Sequence, residues 1–222
     1  MRKRPVLFDM DGTLVDSEPL HFASMLEAVT AKGHSIPSGF GEAITGKSAA
    51  ECHAALVAAT GLAMTLPDFV AAKNAAYLQA AHQLKLRDGA ALVLDVVARS
   101  GQPMAIVSNS DRMIADANLR ATGLLRPDLI SVTRNDVRQG KPHPEPYLRA
   151  AYLLNVAPAD CIVVEDSIPG AAAGLAAGMT VIGWPEPHRT DIAFPLGAIL
   201  ASPDDLLPVL SRCLMGEAAA TA

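Results

Sequence analysis

Apolar and polar positions change their period twice along this chain. The run RPVLFD is short and continuously apolar and ends abruptly in the polar turn MDGT, the pattern of a buried strand. From Ser17 onward Phe22, Met25, Leu26 and Val29 recur at helical spacing until Gly33 stops the pattern. Two further helical segments follow, Ser48 to Thr60 closed by Gly61, and Pro67 to about His82, where Pro67 suits a first-turn position. No strand pattern interrupts this region.

From Ala90 the texture becomes an alternation. A helix to Ser100 precedes a strand MAIVS at 104–108, a helix from Asp111 to Thr122 and a strand LISVT at 129–133. A helix from Pro144 to Asn155, a strand CIVVE at 161–165, a helix to Gly178 and a strand TVIGW at 179–183 complete the series. Apolar strands alternating with helices predict an α/β fold, a Rossmann-like parallel sheet covered on both faces. The helical block is then an insertion after the first strand. Residues 1–16 and 86–222 are expected to form the sheet domain and 17–85 a small α-helical domain, joined by two linkers. The closing GEAAATA is expected to fray.

Composition narrows the class. Half of the 222 residues are apolar, 18% are charged and the net charge is −5, which describes a folded body rather than a disordered one. No basic run extends beyond Arg2-Lys3-Arg4, so a nucleic-acid surface has no support. Cys52, Cys161 and Cys213 are odd in number and far apart, against both a disulfide framework and a CxxC metal site. No apolar run reaches the roughly 18 residues of a membrane span, and the one after Arg4 is too short for a signal peptide. A cytoplasmic protein without membrane partners, a monomer or weak dimer, is expected.

Ligands of such sheets bind at the carboxyl ends of the strands, and three strands end in reactive residues: Asp9 and Asp11 in DMDGT, Ser108 and Asn109 in VSNS, Glu165 and Asp166 in VVEDS. Lys141 lies in the loop QGKPHPEP. Carboxylates from two strand ends can hold a hard cation such as Mg2+. A carboxylate attacking a phosphate monoester meets repulsion of roughly 4 kcal/mol per unit-charge pair at about 4 Å and an effective dielectric near 20. A metal and a lysine answer that repulsion. The turn after Asp9 is expected to bring Asp11 to the same site, one carboxylate attacking phosphorus while the other supplies a proton to the leaving oxygen. Ser108 and neighbouring backbone N–H groups are expected to bind phosphoryl oxygens.

Taken together, DMDGTLVDSE, VSNS, GKPHPEPY and VVEDS resemble the four motifs of the haloacid dehalogenase superfamily, in the branch of phosphoglycolate phosphatases, sugar-phosphate phosphatases and beta-phosphoglucomutase. The resemblance spans about residues 5 to 185. It implies that Asp9 is the nucleophile, forming an aspartyl-phosphate, and that Asp11 is the general acid and then the base that activates water. It also implies that Asp9, the backbone carbonyl of Asp11 and Asp166 bind Mg2+, with Glu165 supporting the metal shell. Lys141 would neutralise the nucleophile and the phosphoryl group, and Ser108 would hold a phosphoryl oxygen. Gly12, Thr13 and Asn109 are expected beside the substrate, and the inserted helices are expected to form a cap over it.

Competing readings of these strings are weaker. As a calcium loop, DMDGT would place Leu14 where Gly is required and Leu20 where Glu is required. The string GEAITGKS at 41–48 fits a nucleotide phosphate loop, yet it follows no buried strand and carries Glu42. In the resembled family the segment is a cap loop, so Lys47 and Ser48 are expected to touch the distal part of the substrate. Gly170, Gly174 and Gly178 recur every four residues, which reads as a helix packed closely on the sheet. His34, His53 and His82 have no metal-ligand spacing.

The expected activity is therefore Mg2+-dependent hydrolysis of a small phosphate ester, a sugar or polyol phosphate, with His21, Lys73 and Asn74 joining Lys47 and Ser48 in the cap. The runner-up is a beta-phosphoglucomutase-like sugar phosphomutase. Aligned on TGKSAAE, the cap arginine that such a mutase uses for its second phosphate is replaced by Ala49, while His21 and Lys73-Asn74 are retained. A phosphate-binding module without turnover is a third class, and no residue favours it.

Overall fold

The computed structural model describes residues 3–41, 48–189 and 192–216. It divides into two compact units, Met1–Asp16 with Lys85–Ala222, and Ser17–Leu84.

The first unit is built on a six-stranded sheet. Its strands are β1 (Val6–Phe8), β2 (Met104–Val107), β3 (Ile130–Val132), β4 (Ile162–Glu165), β5 (Thr180–Gly183) and β6 (Ile199–Leu200). Their order is β3-β2-β1-β4-β5-β6, and every pairing is parallel. The chain therefore works outward from β1 to one edge, then crosses to the far side of β1 for β4. That reversal opens a crevice at the carboxyl ends of β1 and β4. The register pairs Phe8 with Val164, so Asp9 and Glu165 stand next to each other just past the paired residues.

Apolar strand residues explain why the sheet is buried on both faces. Leu7, Ala105, Val107, Val132, Val163 and Val181 form one core cluster with Tyr147, Ala150 and Ala173. The last three come from helices α6 (Glu145–Leu153) and α7 (Ile168–Ala176). A Cβ on Gly174 would lie 2.8 Å from Val181 and 3.2 Å from Val163, so the glycine lets α7 sit directly on the sheet.

The second unit holds α1 (Glu18–Thr30), α2 (Ala49–Thr60) and α3 (Leu66–Ala80), with no strand among its described residues. Met25, Val29, Leu56, Leu62 and Phe69 close its own small core. Ser48 caps α2 in a box with Glu51, and Gly61 ends the same helix in the left-handed conformation that glycine adopts without steric cost. In the sheet unit, helices α4 (Ala90–Arg99) and α5 (Arg112–Ala121) flank β2 in sequence.

Two elements fall outside the expected series. Strand β6 is only two residues long and leaves no period to read. Helix α8 (Leu206–Met215) buries Leu206, Val209, Leu210 and Cys213 at helical spacing. Its Pro208 stands in the first turn, where the missing N–H would have no helical partner anyway.

The segments that leave and re-enter the sheet unit run side by side. Asp16 N–H donates to Lys85 O at 3.1 Å, Arg87 N–H donates to Leu14 O at 2.9 Å, and Val15 bridges antiparallel to Leu86.

Candidate active site

The crevice beyond β1 and β4 collects the reactive side chains. Lys141 is drawn into it from the loop before α6, and its side chain is buried. Its ammonium donates to Asp9 Oδ1 at 2.5 Å, to Glu165 Oε1 at 2.6 Å and to the Val107 carbonyl at 2.8 Å. All three N–H donors of the group are thereby engaged.

The loop carrying Lys141 is fixed by Asn109. The Asn109 side chain accepts from Lys141 N–H at 2.8 Å and donates to Lys141 O at 3.1 Å. Asn109, expected beside the substrate, thus spends both ends of its amide on the backbone of Lys141. Gly140 allows the approach, since a Cβ there would lie 2.6 Å from Asn109 Oδ1.

Glu165 is fully buried, and both of its oxygens are used. Oε1 accepts from Lys141 and from the Tyr147 hydroxyl at 2.5 Å, while Oε2 accepts from Ser167 Oγ at 2.9 Å. A Cβ on Gly170 would fall 1.9 Å from this carboxylate, so only glycine leaves room for it at the start of α7. With its lone pairs occupied in this way, Glu165 holds Lys141 in place.

Asp166 accepts from Thr13 Oγ1 at 2.8 Å. Gly12 faces it with φ +78°, and a Cβ there would be 2.5 Å from Asp166 Oδ2. The carbonyl of Gly12 accepts from Arg87 at 2.9 Å. Arg87 also donates to Trp184 O at 2.9 Å and lies 3.7 Å over the Trp184 ring. Gly12 and Thr13, expected at the substrate, here shape the ground under Asp166.

The two aspartates of the turn after β1 take different partners. Asp9 points to Lys141, whereas the Asp11 carboxylate meets Ser108 Oγ at 3.1 Å, Ser110 Oγ at 2.8 Å and Asn118 Nδ2 at 2.9 Å. Ser108 Oγ in turn accepts from Ser110 N–H at 2.9 Å.

Charge decides what this crevice can hold. Among the described residues, Asp9, Glu165 and Asp166 can bring one oxygen each within 4.8 Å of one another. Three carboxylates against one ammonium leave a formal −2 in a buried place. Burial pushes Asp9 well above the ordinary carboxylate range; Lys141 opposes the shift, and Glu165, Asp166 and Asp11 add to it. Burial, then Glu165, pushes Asp166 up to about 7 despite the Thr13 hydrogen bond. Lys141 moves upward as well, because Asp9 and Glu165 outweigh the cost of burying it. The ammonium stays charged while the carboxylates compete for positive charge. A donor set of hard oxygens with an uncompensated −2 fits a divalent cation of the Mg2+ type.

Of the residues expected in the helical unit, His21 stacks on Tyr77 with ring centroids 4.5 Å apart, and His21 Nδ1 lies 3.2 Å from Lys73 Nζ. Asn74 follows Lys73 on α3, half-buried. The Ser48 hydroxyl donates to Glu51 at 2.6 Å within its own helix cap. Lys47 lies outside the described residues.

Tyr147, Ser167, Arg87, Ser110, Asn118 and Gly170 join the site from outside the expected set. Tyr147, Ser110 and Ser167 belong to quoted motifs, GKPHPEPY, VSNS and VVEDS, and are within reach of the sequence. Asn118 had one signal, a polar residue on the face of α5 that otherwise buries Ile114, Ala115 and Leu119.

This arrangement agrees with what the chain resembles in other proteins. The family model for haloacid dehalogenase-like hydrolases matches residues 4–178. The chain is 35% identical over 191 residues to hexitol phosphatase A of Escherichia coli, covering 86% of this chain and 87% of that one. It is 29% identical over 213 residues to a phosphorylated carbohydrates phosphatase of Thermotoga maritima, covering 94% and 99%. A solved hydrolase of the same family from Deinococcus radiodurans, with bound phosphate and sodium, superposes with a TM-score of 0.73 at 30% identity, covering 97% and 96%. The chain belongs to the haloacid dehalogenase-like hydrolase family. Within it, this is an enzyme of the phosphoric monoester hydrolase class.

Proposed function

We propose that this enzyme is a Mg2+-dependent phosphatase of small phosphorylated metabolites, sugar or polyol phosphates, acting through an aspartyl-phosphate on Asp9. The observation that carries the proposal is the Asp9–Lys141 contact at the crevice between β1 and β4, with Asp166 beside it. A buried carboxylate held by an ammonium and facing a second carboxylate is arranged for attack on a dianionic phosphoryl group.

Asp9 and Asp166, with the Asp11 backbone carbonyl, would hold the Mg2+, which supplies charge stabilisation to the transferring phosphoryl group when bound. Asp9 attacks phosphorus through one carboxylate oxygen as the bond to the leaving oxygen breaks. Asp11 gives that oxygen a proton and then removes one from the water that releases phosphate and restores Asp9. Lys141 keeps the nucleophile in place and offsets its charge. Ser108 changes partner from Asp11 to a phosphoryl oxygen when substrate arrives. Glu165 acts through Lys141.

The substrate class rests on the two curated relatives, both phosphatases of polyol or sugar phosphates. The hydrogen-bonded His21 and Lys73, with Asn74, Lys47 and Ser48, are the polar residues of the helical unit assigned to the non-reacting part of the substrate, that unit serving as the cap. No observation favours the mutase. Cys161 and Cys213, buried thiols without a disulfide, suit a reducing cytoplasm.

Phosphate release from a panel of sugar, polyol and short-acid phosphates, with and without Mg2+, tests the proposal. Release that requires the metal and vanishes in Asp9→Asn is expected. Undiminished release by Asp9→Asn would overturn it.

A further inference from the structure

The contact between Asn118 and Asp11 goes beyond the motifs. Asn118 sits in the second turn of α5 and is fully buried, on a face whose other buried members are Ile114, Ala115 and Leu119. An apolar side chain would serve packing there, and burying an amide is unfavourable unless it is hydrogen-bonded. Its Nδ2 donates to Asp11 Oδ1 at 2.9 Å. The other oxygen, Oδ2, faces the hydroxyls of Ser108 and Ser110. An amide nitrogen can only donate, whereas a hydroxyl can donate or accept. The two oxygens of Asp11 are therefore unequal: Oδ1 is tied to a fixed donor, and Oδ2 stands among rotatable groups.

We infer that Asn118 is a positioning residue for the acid–base step, its buried amide fixing the Asp11 carboxylate so that Oδ2 is the oxygen that exchanges a proton with the substrate. This rests on the reading of Asp11 as acid and base. In the first half-reaction a bond forms between Asp9 and phosphorus, the ester P–O bond breaks, and the proton on Asp11 Oδ2 passes to the leaving oxygen. In the second, water attacks phosphorus, its proton passes to Asp11 Oδ2, and the bond from phosphorus to Asp9 breaks. When Ser108 turns to the phosphoryl group, Asn118 and Ser110 retain Asp11.

Leaving-group dependence separates this role from a structural one. A p-nitrophenolate leaves without protonation, whereas a polyol alkoxide needs the proton. The ratio of kcat/KM for glycerol phosphate to that for p-nitrophenyl phosphate is measured with Mg2+ present in wild type, Asn118→Leu, Asn118→Ala, Asn118→Ser, Asp11→Asn and Asp9→Asn, with each Tm. The expected result is a ratio lowered by about tenfold or more in the Leu and Ala variants. Asn118→Ser, which keeps a donor, should recover part of it. Equal loss on both substrates, or no loss, would overturn the inference. Should Asn118→Leu fail to fold, the smaller Ala and Ser variants give the same comparison. An unchanged ratio in Asp11→Asn would instead reject the acid role of Asp11. Full activity in Asp9→Asn would reject Asp9 as the nucleophile, and with it the proposed mechanism on which this inference rests.

Discussion

Tyr147 donates its hydroxyl to Glu165 Oε1 at 2.5 Å, the same oxygen that accepts from Lys141. A residue buried among the apolar side chains of the sheet core thus reaches the crevice between β1 and β4 through one carboxylate. Burial, followed by the charges of Glu165 and Asp9, raises the Tyr147 hydroxyl well above its ordinary pKa, so it remains a donor at any working pH.

Removing that hydroxyl tests the connection. Tyr147→Phe keeps the ring packing and takes one donor from a fully buried carboxylate, which should cost about 1–3 kcal/mol. Denaturant unfolding should show the loss, and kcat should fall with little change in KM. An unchanged unfolding midpoint would mean that the hydrogen bond adds nothing.

Lys141→Met is of similar length and leaves Asp9 and Glu165 without their ammonium. Breaking a buried ion pair by deleting one partner typically costs about 3–5 kcal/mol, and the loss of electrostatic stabilisation should lower kcat by about 10²-fold or more. The stability loss should shrink at acidic pH, where the orphaned carboxylates take up protons. Equal losses at pH 8 and pH 5.5 in parallel denaturant titrations would contradict this account.

Metal binding should depend on pH with a definite sign. Asp166 titrates near 7 in the folded metal-free chain, against 3.8 ordinarily. A folded pKa raised in this way gives a stability contribution that is full below the unfolded value and lost as pH rises through about 7. The metal-free protein should therefore lose stability between pH 4 and pH 7 through this group. A divalent cation must displace the proton, so Mg2+ affinity should weaken as pH falls through the same range. Thermal melts with and without Mg2+ should show a larger upward Tm shift at pH 8 than at pH 5.5; equal shifts would contradict it.

Gly170→Ala sets two magnitudes against each other. Alanine gains about 1 kcal/mol of helix propensity over glycine. Its Cβ would fall 1.9 Å from the Glu165 carboxylate, and such overpacking costs about 1–3 kcal/mol. The clash should win, lowering Tm and activity together. A Tm at or above wild type would show that Glu165 can move aside without penalty.

How much of this was legible in the sequence follows from the physics of each part. Strands β1, β2 and β4 are continuous apolar runs cut off by polar turns, and their ends named Asp9, Ser108 and Glu165 directly. The pairing of β1 with β4 joins residues more than 150 positions apart, which no local period can announce. Asp9 and Asp11 share one turn, yet their side chains take different partners, because Ser110 and Asn118 come from elsewhere in the chain. Arg87 stands in none of the motifs. Only the fold shows its guanidinium under the Gly12 carbonyl and over the Trp184 ring.

The side-by-side course of Asp16 and Lys85 has a topological meaning. Because the chain leaves and rejoins the sheet unit at hydrogen-bonded neighbours, the intervening 17–84 segment closes a loop whose ends are already together. Loop-closure entropy changes slowly with length. The strand register around Asp9 therefore does not prescribe how long that segment is or what it is made of, and the sheet acts as a socket that accepts inserts of different size without a change in its own pairing.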